Sequence, residues 1–249
     1  MDDGTLRERL WQGFARLQTL LGGEAAGGVV VDEHGIVASF VPGAPDSPTL
    51  NAAIVVASEL DLELLDAMRL RWEQLGVRRW GIWTDGANYR VTDSLRTARL
   101  RVTTSSPGMG AEIAQLSLNG GAPARTTDLA TVGHVNDLAY GNPDARLERT
   151  LSPLPPGLLH AYAAELRGRP ASVALALHHR EDCGISFVAT APHARRQGLA
   201  SDVMQRVAMD ARDAGMTSTT LQATNLGEKL YYALGYRKVS DMQLWEKRR

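Results

Sequence analysis

Val188-Ala189-Thr190-Ala191-Pro192-His193-Ala194-Arg195-Arg196-Gln197-Gly198-Leu199-Ala200-Ser201 is the stretch on which the reading of this chain turns. The apolar run Cys183 to Thr190 predicts a buried strand, and Leu199, Val203, Val207 and Ala211, every fourth residue, predict a helix over Leu199 to Ala214. A strand therefore feeds a short loop of small and cationic residues, and the loop opens directly into a helix. The first N–H groups of such a helix have no partner inside it and sit at the positive end of its dipole, which suits a pyrophosphate. Gly198 and Ala200 keep side chains out of the way, and Arg195 and Arg196 add positive charge for phosphate oxygens.

One helix further on, Thr219 to Thr224 (TTLQAT) predicts a strand, and Glu228 to Leu234 (EKLYYAL) a short helix stopped by Gly235. With both stretches in view, R-x-x-G-x-A from Arg195 to Ala200 resembles the acetyl-CoA pyrophosphate loop of the GCN5-related N-acetyltransferase (GNAT) superfamily. L-Y-x-x-L-G-Y from Leu230 to Tyr236 resembles that family's helix bearing a catalytic tyrosine, and Met242 to Glu246 (MQLWE) is similar to closing strands of many members. The resemblance extends over about Thr150 to Arg249, weakens back to Arg125, and for residues 1–118 rests on element order alone.

The resemblance implies an acetyl-CoA-dependent N-acetyltransferase that moves an acetyl group to a primary amine by direct attack. Val188, Ala189 and Thr190 would lie along the pantetheine arm, and Asn225 would reach it. Backbone amides of Arg195, Arg196, Gln197, Gly198, Leu199, Ala200 and Ser201 would hold the pyrophosphate. Tyr231 would protonate the departing thiolate; it is preferred to Tyr232 when the two are aligned on Leu234-Gly235-Tyr236. A tyrosine hydroxyl, with an ordinary pKa near 10, carries its proton at neutral pH and so is available as an acid.

Each of these residues also has a plainer reading. Tyr231 could be core packing, and Asn225 could cap the helix that follows. Cys183, without an evident partner base, reads as a small core hydrophobe. The general base stays open among Glu165, His160, His178 and His179. A non-catalytic acyl-CoA-binding sensor or interaction module would keep Arg195 and Gly198 and have no need of Tyr231.

Upstream, Leu6, Leu10, Phe14, Leu17 and Leu21 predict a helix closing at Gly22-Gly23, and Gly27 to Val41 predicts a hairpin around Asp32-Glu33-His34-Gly35. A strand from Leu50, a helix over Leu62 to Leu75, a strand over Arg78 to Thr84 and a helix-like DSLRTARL follow, with two strands expected in RVTTS and MGAEIAQLSL. Asn119 to Pro123 reads as a linker, after which a helix capped by Thr127 or Asp128 and a hairpin around Arg167-Gly168-Arg169-Pro170 lead back to Cys183. The expected fold class is α/β (α+β), two GNAT-like domains at 1–118 and 119–249, each a mixed, largely antiparallel sheet flanked by helices. The first has acidic Ser58 to Glu63 and no glycine where a pyrophosphate loop would lie, and no tyrosine in Arg96 to Leu100, so it reads as a degenerate domain without a cofactor.

Composition narrows the classes further. The chain has 249 residues, 44% hydrophobic and 22% charged, as a globular chain needs for a core. Its 27 Lys+Arg against 28 Asp+Glu give no basic field for nucleic acid or an anionic membrane. Residues 1–118 hold 11 basic and 15 acidic side chains, residues 119–249 hold 16 and 13, so the anionic ligand belongs in the second half. One cysteine and no Cys/His ligand spacing predict neither a disulfide scaffold nor a metal site, and no stretch has the length of a membrane span. The expectation is a cytoplasmic protein, monomer or homodimer, whose amine acceptor is a small molecule rather than a protein.

Overall fold

The computed structural model describes residues 1–247 apart from 26, 119–123, 156, 158 and 225. In chain order the elements are α1 (Asp3–Glu24), β1 (Val29–Glu33), β2 (Ile36–Phe40), β3 (Ala52–Val55), α2 (Leu62–Gln74), β4 (Gly81–Asp85), α3 (Tyr89–Thr97) and β5 (Leu100–Glu112). They continue as β6 (Arg125–Thr126), α4 (Leu129–Tyr140), α5 (Arg146–Leu151), β7 (His160–Leu166), β8 (Arg169–His179), β9 (Asp182–Thr190), α6 (Leu199–Asp213), β10 (Ser218–Gln222), α7 (Glu228–Leu234) and β11 (Arg237–Lys247). The fold is the expected mixed α/β class.

Two compact units share these elements: Met1–Gly13 with Met109–Arg237, and Phe14–Gly108 with Lys238–Arg249. Each unit is made of two separate stretches of chain, and the linker read at Asn119 to Pro123 lies outside the described residues. In the second unit β1, β2 and β3 pair antiparallel, β3 runs parallel to β4, and β4 pairs antiparallel with β11. In the first, β6, β7, β8 and β9 pair antiparallel in turn, and β9 runs parallel to β10. Each unit therefore contains a parallel pair bridged by a helix: β3-α2-β4 in one and β9-α6-β10 in the other.

Local sequence explains most of these elements. His34 and Gly35 both take positive φ (53° and 75°) between paired Glu33 and Ile36, the backbone of a tight two-residue hairpin. Leu199, Val203, Val207 and Ala211 of α6 are all buried, in a core with Tyr162, Cys183, Ile185 and Leu221. The second unit packs Trp72, Phe40, Leu65, Met68 and Trp245 together, with the Trp72 indole donating to the Ser39 carbonyl at 3.0 Å.

Three expectations change. Helix α1 does not stop at Gly22-Gly23 but runs through to Glu24, because Gln18, one turn earlier, is bound to Ser39 and Leu50 and holds this part of the helix on the second unit's core. The residues expected as two strands after Leu100 form the single strand β5, and Arg237 to Lys247 likewise forms one strand. Helix α5, unforeseen, is held by the buried Asp137, whose carboxylate accepts the N–H of Leu147 and of Glu148, each at 2.9 Å.

Candidate functional site

Strands β9 and β10 are in register from Asp182↔Ser218 to Ile185↔Leu221, and their ladder ends there. On its other side β9 continues against β8, but the register slips between Leu175↔Ser186 and Val173↔Ala189. The extra residue is a bulge at Phe187, which sits at φ +53°. Left-handed backbone is costly for a bulky non-glycine residue, and bulges of this kind re-aim a strand beside functional sites. The Asn136 side-chain amide of α4 lies 3.5 Å from the Phe187 carbonyl. Past the bulge, Val188 is half-buried, Ala189 is buried, and the Thr190 hydroxyl is 2.8 Å from that of Ser172. The β10 side of Ser186 to Thr190 is left without a strand partner in the ladder, an edge that can accept an extended ligand arm.

Beyond Thr190 a single 3-10 turn, Pro192–Ala194, leads to the loop. Arg196 (φ +60°) and Gly198 (φ +82°) both take left-handed backbone, so the chain turns twice within three residues before α6 begins. Helix α6 has no side-chain cap, and a Cβ added at Gly198 would meet nothing within 4 Å. Its first amides therefore have no side-chain acceptor, and the helix dipole stands behind them. The Arg195 guanidinium donates to two carbonyls: Thr190 O at 3.2 Å and Ala139 O, near the end of α4, at 3.0 Å. It staples the loop, while its amide remains part of it. Arg196 is exposed, and Gln197 is exposed with its amide donating to His193 O at 3.4 Å. Leu199 is buried in the core, Ala200 and Ser201 are half-buried, and Ser201 accepts from Gln205 at 3.1 Å.

Tyr231, the fourth residue of α7, is 4% exposed and meets Tyr236 edge-on at 5.9 Å between ring centroids. Its hydroxyl has no hydrogen-bond partner among the described residues, and burial, with a smaller effect from Tyr140, pushes its pKa well above the ordinary tyrosine value. It remains a protonated donor across the neutral range. Tyr232 is 49% exposed and engages Glu228. Asn225 lies outside the described residues.

The base candidates fall elsewhere. Glu165 is ion-paired with Arg125. His178 is opposite Cys183 and His179 opposite Asp182, at the start of β9, four residues from the bulge, or about 13 Å at roughly 3.3 Å per strand residue. The rings of His160 and His178 lie 4.4 Å apart, and burial, then the His160 charge, lowers the His178 pKa. Cys183 is fully buried with its thiol pKa pushed up by burial, so it is a core residue and not a nucleophile. Among the described residues no group of three or more His, Cys, Asp or Glu could hold a metal ion, and no helix is long and apolar enough to cross a membrane.

The parallel pair in the second unit lacks this opening. Helix α2 is capped by Asp61, whose carboxylate accepts from Glu63 N at 2.8 Å and Leu64 N at 3.2 Å, so the amides that could hold an anion are already satisfied by one. Glu59 pairs with Arg90, and the α3 tyrosine, Tyr89, stands 74% exposed at the helix start. The site elements that sequence reasoning missed are the Phe187 bulge, Asn136, Ser172 and the Ala139 carbonyl. The run Ile-Ser-Phe-Val carries no glycine to signal a bulge, and the other three act through partners distant in the chain.

Residues 158–238 match the family model of the acetyltransferase (GNAT) domain. Among solved structures, a GCN5-related N-acetyltransferase from Kribbella flavida aligns with a TM-score of 0.69 and 17% identity over 94% of this chain and 95% of its own. A conserved protein of unknown function from Staphylococcus epidermidis aligns at 0.62 and 13% over 87% and 92%. A GCN5-related N-acetyltransferase from Sphaerobacter thermophilus aligns at 0.59 and 15% over 87% and 82%. No curated protein sequence matches the chain. Residues 158–238 thus match the GNAT acetyltransferase domain, and the fold is similar to that of the Kribbella flavida protein over nearly the whole chain.

Proposed function

We propose that the protein is an acetyl-CoA-dependent N-acetyltransferase acting on a primary amine of a small molecule, with its one cofactor site in the second half of the chain. The observation that carries this reading is the coincidence of three features around β9: the ladder to β10 ends at Ile185, the strand bulges at Phe187, and the loop beyond delivers the uncapped start of α6. Together they offer a strand edge for an extended arm and open amides for a pyrophosphate, which the residues present fit.

Val188, Ala189 and Thr190 would line the arm, and the amides from Arg195 to Ser201 would bind the phosphates, with the Arg195 side chain holding the loop against α4. Acetyl-CoA supplies an activated thioester. A backbone N–H at the bulge offsets charge developing on the carbonyl oxygen, and the Tyr231 hydroxyl gives its proton to the departing sulfur. Residues 1–118 act as a degenerate GNAT-like part without cofactor, consistent with the Asp61 cap.

The test is calorimetric titration of acetyl-CoA into the full chain and into Gly198→Glu. One binding site that disappears in the variant supports the reading. Absence of binding, or binding indifferent to the substitution, sinks it.

A further inference from the structure

The tip of the β7–β8 hairpin, Leu166-Arg167-Gly168-Arg169, approaches the loop that precedes α6. Between them lies a cavity of about 560 Å³ lined by Leu166, Arg167, Arg169, His193 and Gln197. Arg167 and Gly168 form a two-residue turn at φ +53° and +76° between paired Leu166 and Arg169, so the two arginines are held either side of one glycine. Among the described residues neither guanidinium has an ion pair or hydrogen bond, in a protein where most arginines do. The carboxylate nearest in sequence, Glu165, is taken by Arg125. Two like charges facing one cavity without an anion repel each other, and an anion there would relieve the repulsion while using both planar donor forks.

We propose that this cavity is a phosphomonoester site. Its occupant, if the reading in the preceding subsection holds, is the 3′-phosphate end of CoA. Gln197 belongs both to the cavity wall and to the loop proposed to hold the pyrophosphate, and the group joined to that pyrophosphate in CoA is a 3′-phosphoadenosine. The hairpin then makes the enzyme choose CoA over its 3′-dephospho form. The same chemistry would admit a separate phosphorylated metabolite, and the experiment separates the two.

CoA, 3′-dephospho-CoA and inorganic phosphate are titrated, in a phosphate-free buffer, into the full chain and into the double variant Arg167→Gln/Arg169→Gln. Both side chains are exposed and unpartnered, so the variant should fold, which its melting curve checks. The expected result is that the wild type favours CoA over 3′-dephospho-CoA by on the order of tenfold or more, and that the variant loses this preference without losing affinity for 3′-dephospho-CoA. Phosphate binding that needs the arginines and does not compete with CoA also supports the site, and assigns it to a separate ligand. The proposal is overturned if the arginines alter neither the CoA preference nor phosphate binding. If no CoA species binds at all, the acetyltransferase reading fails, and the phosphate titration still decides the cavity.

Discussion

Replacing Tyr231 by Phe separates catalysis from packing. The ring is 4% exposed and would keep its edge-on contact with Tyr236, so no cavity forms. Among the described residues no hydrogen bond of the hydroxyl is lost, so the substitution removes one polar atom and leaves the ring packing in place. Stability should therefore stay within about 1 kcal/mol of wild type, about 2–4 °C in Tm. Loss of a general acid, in contrast, should slow turnover by about 10²- to 10⁴-fold, roughly 3 to 5 kcal/mol in the barrier. The assay is thiol release with an amine found by screening, alongside calorimetry for CoA affinity, which should not change. Because burial raises the Tyr231 pKa, the wild-type rate should show no loss of this acid until well above pH 10. Tyr232→Phe is the control: with its side chain 49% exposed, it should alter the rate by no more than about twofold. A Tyr231→Phe enzyme within about threefold of wild type would refute the argument, since the proton would then come from elsewhere.

Three further outcomes follow from the structure. Gly22 and Gly23 are neighbours near the end of α1, so Ala gains each the same helix propensity, about 1 kcal/mol at most. A Cβ at Gly22 would lie well inside contact distance of Ser39 Cβ, whereas at Gly23 the nearest atom is 4.0 Å away; Gly22→Ala should lower Tm and Gly23→Ala should raise it, and equal shifts would contradict the packing. Asp61→Ala removes the α2 cap and should cost about 1 kcal/mol in chemical denaturation while leaving CoA titration unchanged. The folded-state pKa of His178 is depressed, so its contribution is present above the ordinary histidine value of 6.5 and lost as pH falls through the folded value. Tm should therefore drop more steeply below about pH 6.5 in wild type than in His178→Gln, and parallel curves would refute the assignment.

What the sequence determined by itself was local. The loop and helix from Val188 to Ser201, the stripe of α6, the hairpins around His34-Gly35 and Arg167-Gly168, and a cap at Thr127 or Asp128, which the structure assigns to Asp128, were legible, because glycine placement, period-four burial and capping act over a few residues. The acidic start of α2 was likewise legible, though only the structure shows Asp61 occupying the amides itself. Tertiary structure decided the rest. It carried α1 past two glycines because Gln18 is tied to Ser39 and Leu50, more than twenty positions away, and it gave Phe187 a left-handed backbone that its sequence does not favour. It also joined the Arg195 guanidinium to the Ala139 carbonyl, which stands 56 residues earlier in the chain. Such partners meet only when the sheet is assembled, and no spacing within a single segment records which strand edge or helix end a side chain will find.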